Sequence, residues 1–199
     1  MGEVLVLVRR ATSVELLPSR SVRRGLAVCL FAVLTAIGAY VIVPLPVTPV
    51  PVTLQSLFVV LAGALLGPGL GAASQALYVA VGLAGLPVFS GAGAGVAHVL
   101  GPTGGYLIAF PAAAAVTGWL APRSGAAARS ALVIRLALAL LAGSAVIFLG
   151  GLARLTLLTG DVGSALELGL FPFVPGGIVK LGLALLIASR LRRRTLEQL

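Results

Sequence analysis

The sequence predicts an all-α integral membrane protein, a six-helix bundle with both termini in the cytoplasm. Three observations predict it. First, 59% of the 199 residues are hydrophobic and only 10% are charged, with a mean hydropathy of +1.15. A soluble domain is about 45–50% apolar and about 25% charged. A chain this poor in charge cannot clothe a water-facing surface, so its apolar residues face lipid as well as one another. Second, six apolar runs are separated by helix-breaking residues. Third, the basic residues gather at the two ends of the chain.

The runs cover residues 26–43, 52–66, 70–86, 106–121, 132–152 and 173–189. A straight span takes about 20 apolar residues, so the second run is short for a full crossing. Pro44, Pro46, Pro49 and Pro51 end the first run, because proline cannot sustain helix hydrogen bonding. Gly67-Pro68-Gly69 reads as a tight turn between the second and third. Residues 87–105 form a long glycine-rich loop, and residues 122–125 and 159–172 separate the later runs. Residues 1–25 are then a basic cytoplasmic segment, 26–194 the membrane domain and 195–199 a cytoplasmic tail.

The net charge of +9 is distributed unevenly. Arg9, Arg10, Arg20, Arg23 and Arg24 precede the first run, and Arg190, Arg192, Arg193 and Arg194 follow the last. With six spans, Arg123 and Arg129 fall on the same side as both termini, and Arg154 is the one basic residue in the opposite loops. The positive-inside rule therefore puts the termini in the cytoplasm. Charge confined to membrane edges argues against nucleic acid as a partner, since a nucleic-acid binder carries its charge on a folded face with aromatics between. Cys29 is the only cysteine, a small hydrophobe in an apolar run, and offers neither disulfide nor metal cluster. No cleavable signal peptide is expected, because residues 4–8 are a short apolar stretch leading into arginines.

Small residues recur four apart. Ala72, Ala76, Ala80 and Ala84 mark the third run, Gly105, Ala109 and Ala113 the fourth, and Ala32 and Ala36 the first. Such stripes let helix backbones approach in lipid, and the third run's stripe is expected to serve helix packing, chance in an alanine-rich chain being the other reading.

Few residues carry chemistry. Lys180 is the only lysine and lies inside the sixth run. An ionisable group at mid-helix costs at least about 2.5–3.5 kcal/mol and usually faces a cavity or a partner. Gly176, Ala184 and Ala188 share its face, so that face is expected to point inward and offer a cation to an anionic ligand. Snorkelling to the headgroups is the competing reading. His98 lies in the long loop without a second metal ligand nearby, and lines a site or is incidental. Gln55, Ser74 and Gln75 bond a ligand or bridge helices. Residues 91–95 alternate glycine and alanine without the Lys-Ser/Thr of a phosphate loop, which suits a loop packed close to a ligand. No acid lies in an apolar run, and no nucleophile has a base beside it, so the expectation is no enzyme and no cofactor.

Three stretches carry a family likeness: residues 49–89, the GPTGGYL of residues 101–107, and the FPFVPGGIVK of residues 171–180. In order and spacing they resemble the BioY family, the biotin-specific S components of energy-coupling-factor (ECF) transporters. The resemblance spans about residues 26–194. It implies a multi-pass protein of the cell membrane that captures biotin at the outer face, partnered by a transmembrane coupling subunit and two ATPase subunits. It implies Lys180, Gly177, Gln55, Gly93, His98 and Tyr106 as candidate substrate-binding residues, and the Ala32–Ala36 groove as the place where the coupling subunit docks. In one respect the chain departs from the family: Gly177 stands where an acid is common. A different small vitamin as substrate, or a purely structural membrane role, are the other readings open to the sequence.

Overall fold

Backbone groups buried in hydrocarbon have no water to bond, so a chain of this composition must satisfy them within helices. The computed structural model describes residues 19–122 and 129–198. Helix α1 (Arg20–Tyr40) begins at Ser19, whose hydroxyl accepts from the Val22 N–H at 3.4 Å. The prolines that follow allow only a two-residue hairpin, β1 (Ile42–Val43) against β2 (Val52–Thr53), with Ile42 opposite Thr53. Helix α2 (Gln55–Leu83) comes next. A 3₁₀ turn (Ser90–Ala92) and the short α3 (Gly95–Val99) lead to α4 (Gly104–Leu120). Helix α5 (Arg129–Thr159) precedes α6 (Val162–Gly169), and a second 3₁₀ turn (Phe171–Phe173) opens α7 (Val174–Gln198). Among the described residues four stretches are long and apolar enough to cross a membrane: Arg20–Tyr40, Gln55–Leu83, Ser130–Thr159 and Val162–Arg192. Helix α4, with 17 residues, is shorter.

Glycine governs how these helices meet. Gly67 has φ 81° and ψ −180°, a conformation open to glycine, and the helical path of α2 is broken there. The second arm folds back so closely that a Cβ on Gly71 would stand 2.9 Å from the Gly63 Cα. A Cβ on Gly63 would stand 2.2 Å from the Ala114 carbonyl oxygen of α4. Helix α4 meets α5 the same way, with Gly105 and Gly150 in backbone contact. Without a strong hydrophobic drive in lipid, van der Waals packing of this kind holds helices together. Its polar complement lies between α1 and α2. Thr35, fully buried, donates to the Phe31 carbonyl at 2.8 Å and lies 3.2 Å from Gln75 Oε1, and Gln75 Nε2 donates to Ser74 Oγ at 3.1 Å.

At one end of the bundle, Arg192 of α7 is buried and donates to the carbonyls of Pro122 (3.0 Å) and Ala121 (3.2 Å), closing the C-terminus of α4. At the other end, Arg154 of α5 holds the carbonyls of Leu100 and Gly101, the latter at 3.4 Å. Asp161 caps α6 by accepting from the Ser164 N–H at 2.6 Å, and that backbone bond holds its carboxyl below the usual range.

Several expectations are corrected. The Ala72–Ala84 stripe does not pack inside: Ala76, Ala80 and Ala84 are exposed and Ala72 is half-buried. The buried face of that arm is Gly71, Ser74, Gln75, Tyr78 and Gly82. Residues 159–172, read as a connection, contain α6, and the long loop contains α3. Arg154 lies within α5 rather than in a loop. The pair proposed for docking is turned inward. Ala32 is buried, Ala36 is half-buried against the core, and the open face of α1 carries Leu26, Leu30, Val33 and Ile37. Arg9, Arg10 and Arg123 lie outside the described residues.

Candidate functional site

The site begins where β2 runs into α2. Thr53 ends the strand, and Gln55 and Ser56 open the helix one turn above Val59 and Val60. Helix α7 crosses beside this corner and brings Lys180 to it. Its Nζ donates to Ser56 Oγ at 2.8 Å and to the Thr53 carbonyl at 3.2 Å. Ala184 and Ala188, one and two turns further along α7, are fully buried, so the lysine's face does point inward. Both of these partners are neutral oxygens, so no acid balances the ammonium charge in these contacts.

Around this corner lies a cavity with about 810 Å³ of empty space, its open mouth included. Pockets for small ligands are mostly apolar, with a few placed polar groups. The walls follow that pattern. Leu57, Val60, Phe110, Ile147, Phe148 and Phe173 supply apolar surface, and Lys180, Gln55, Ser56, Ser90, Thr103 and Ser144 supply polar atoms. Phe148 and Phe173 meet edge to face at 6.4 Å, and Tyr106 closes the same aromatic group at 6.3 Å from Phe173. Among the described residues no group of three His, Cys, Asp or Glu side chains is placed to hold a metal.

The candidates from sequence fall in two sets. Lys180, Gly177, Gln55 and Tyr106 line the cavity together. Nothing lies within 4 Å of a Cβ placed on Gly177, so its lack of a side chain leaves the wall open. Tyr106 adds its ring to the wall, and its hydroxyl donates to the Gly169 carbonyl at 2.7 Å. Gly93 and His98 stand apart. A Cβ on Gly93 would lie 2.1 Å from His98 Nδ1, so this glycine seats the imidazole and is not part of the cavity wall. His98 stacks on Phe89 with ring centres 5.2 Å apart, and its Nε2 is 3.2 Å from Thr103 Oγ1. Partial burial holds the imidazole below its usual pKa. It faces an outer pocket under the proline-rich segment, which shares Pro51, Ser90 and Thr103 with the inner cavity. Thr53, Ser56, Ser144 and Thr103 escaped the sequence reading. Thr53 and Ser56 flank Gln55, which was the only available hint.

Comparison with known proteins agrees with this architecture. The chain is 42% identical to a protein of Pyrococcus horikoshii described as a probable biotin transporter BioY, across 84% of this chain and 95% of that protein. It is 37% identical to the biotin transporter BioY of Thermotoga maritima, across 85% of this chain and 95% of the relative. Among solved structures it matches the S-component for biotin from an ECF-type ABC transporter. That match has a TM-score of 0.74 and 28% identity, covering 87% of this chain and 92% of the other. The family model for BioY matches residues 10–197, nearly the whole chain, and the chain belongs to the BioY family.

Proposed function

We propose that this chain is the substrate-binding component of a biotin uptake system, a multi-pass protein of the cell membrane that holds biotin in the Lys180 cavity. The observation that carries the reading is the lysine itself. A cation in the second turn of α7, held against two neutral oxygens in a mostly apolar cavity, suits a ligand that brings its own negative charge. Biotin has a carboxylate for Lys180, a cyclic urea for a neutral hydrogen-bonding group such as Gln55, and a thioether ring with an aliphatic chain for the apolar walls. The likeness to relatives described as biotin transporters supports the same ligand.

In this reading both arms of α2 cross the membrane, giving six spans with both termini in the cytoplasm and the cavity opening outward past His98. The chain captures and does not catalyse. A transmembrane coupling subunit and two ATPase subunits of the ECF type supply the energy, as the likeness to an ECF-type S-component suggests. Residues 26–194 form the membrane domain, flanked by basic cytoplasmic ends.

Calorimetric titration of the purified chain in detergent tests the assignment. Biotin is expected to bind saturably while thiamine and riboflavin do not. Equal heats for all three, or a stronger response to either competitor, would overturn it.

A further inference from the structure

Gln55 is 5% exposed and lies in the cavity wall. A primary amide presents an acceptor at one end and donors at the other, and the ends exchange when the group turns over. What it offers a ligand therefore depends on what holds it. Both ends are held here. Thr53 Oγ1 donates to Gln55 Oε1 at 2.8 Å, and Gln55 Nε2 donates to the Tyr78 hydroxyl oxygen at 2.6 Å. Tyr78 in turn donates its single proton to the Val88 carbonyl at 3.0 Å.

The bond to Val88 decides the orientation. A carbonyl can only accept, so the Tyr78 proton is committed to it and the phenol oxygen can only accept from Gln55. With the amide turned over, either two oxygens face each other without a proton, or the Val88 carbonyl loses its donor. An unpaired buried polar group keeps its desolvation cost with nothing to offset it. Tyr78 itself is 1% exposed and is not part of the cavity wall. We infer that Tyr78 is a positioning residue of the binding site: its bond to Val88 fixes the Gln55 amide in one orientation, leaving one N–H and one lone pair for a ligand group with both C=O and N–H, such as a cyclic urea. This inference rests on the reading of the cavity as a biotin site.

Tyr78→Phe isolates the hydroxyl, because the ring's edge-on contact with Phe89 at 5.6 Å and its stacking on Phe110 at 6.3 Å remain available. The experiment titrates biotin into the purified full chain in four forms: wild type, Tyr78→Phe, Gln55→Leu and the double variant. Tyr78→Phe should weaken binding about three- to tenfold, the scale of one neutral hydrogen bond. In the Gln55→Leu background the same change should do nothing further, since no amide remains to orient. Equal weakening in both backgrounds would assign Tyr78 to packing alone and overturn the inference. So would unchanged affinity of the single variant. A wild-type chain that fails to bind biotin would instead overturn the functional reading.

Discussion

A single absent side chain shapes the cavity at position 177. Gly177 lies one turn before Lys180 on α7, and a Cβ there meets nothing within 4 Å. A larger residue therefore has room to fold but occupies space that a ligand needs. Gly177→Leu should leave the melting temperature of the ligand-free protein nearly unchanged and weaken biotin binding by at least about tenfold, as expected when a small pocket loses a good part of its volume. Melting and titration of the same preparation check it, and unimpaired binding would mean that biotin does not reach this wall. Lys180 was legible in the sequence because one charge in an apolar run is conspicuous whatever the fold. Gln55 was legible as a polar group at a run's edge, with its role open. Tyr78 was not, since a tyrosine among Leu77, Val79 and Val81 looks like any core residue until the chain folds back and sets Val88 beside it. Gly93, singled out by the family resemblance, stands against His98 within the loop and outside the cavity wall.

At the scale of elements, breaks were easier to read than faces. Prolines and the Gly67–Gly69 cluster act on the backbone directly, so the end of α1 and the fold-back of α2 follow from sequence. Which side of a helix faces inward does not follow, because in lipid both sides are apolar and the pattern carries little contrast. The alanine stripe of α2 shows this: its spacing marks a face, and the face is the open one. Helix α6 was missed because VGSALELG mixes Gly and Ser into eight residues, although Asp161 three residues before Ser164 is an N-cap arrangement. The close packing of α2 on α4 yields a paired test. Gly63→Ala drives a methyl onto the Ala114 carbonyl and should destabilise the protein by about 1–3 kcal/mol, the usual cost of overpacking. Gly69→Ala meets open space at an exposed helical position and should be neutral or slightly stabilising. Thermal melting of both variants in one detergent checks the contrast, and equal effects would contradict the packing described.

For the whole molecule, charge asymmetry and cavity position make one statement. Arg20, Arg23 and Arg24 open α1 and Arg190 and Arg192 lie late in α7, whereas Pro51 and Thr53 at the hairpin line the Lys180 cavity; in the proposed topology the positive-inside rule turns that cavity outward. A cysteine replacing Ala92, in the cysteine-free Cys29→Ala background, should react with an impermeant maleimide in intact cells. One placed at Ser189 should react only after the membrane is opened. The reverse pattern would turn the site toward the cytoplasm and contradict capture from outside.

Whether Lys180 meets the carboxylate of biotin in this cavity is read from one set of titrations. Biotin and biotin methyl ester are titrated into the wild-type chain and into Lys180→Ala. The substitution should weaken biotin binding by about 1.5–3 kcal/mol, the worth of a hydrogen bond to a charged group, and change ester binding little. Equal losses for acid and ester, or no loss for either, would contradict it.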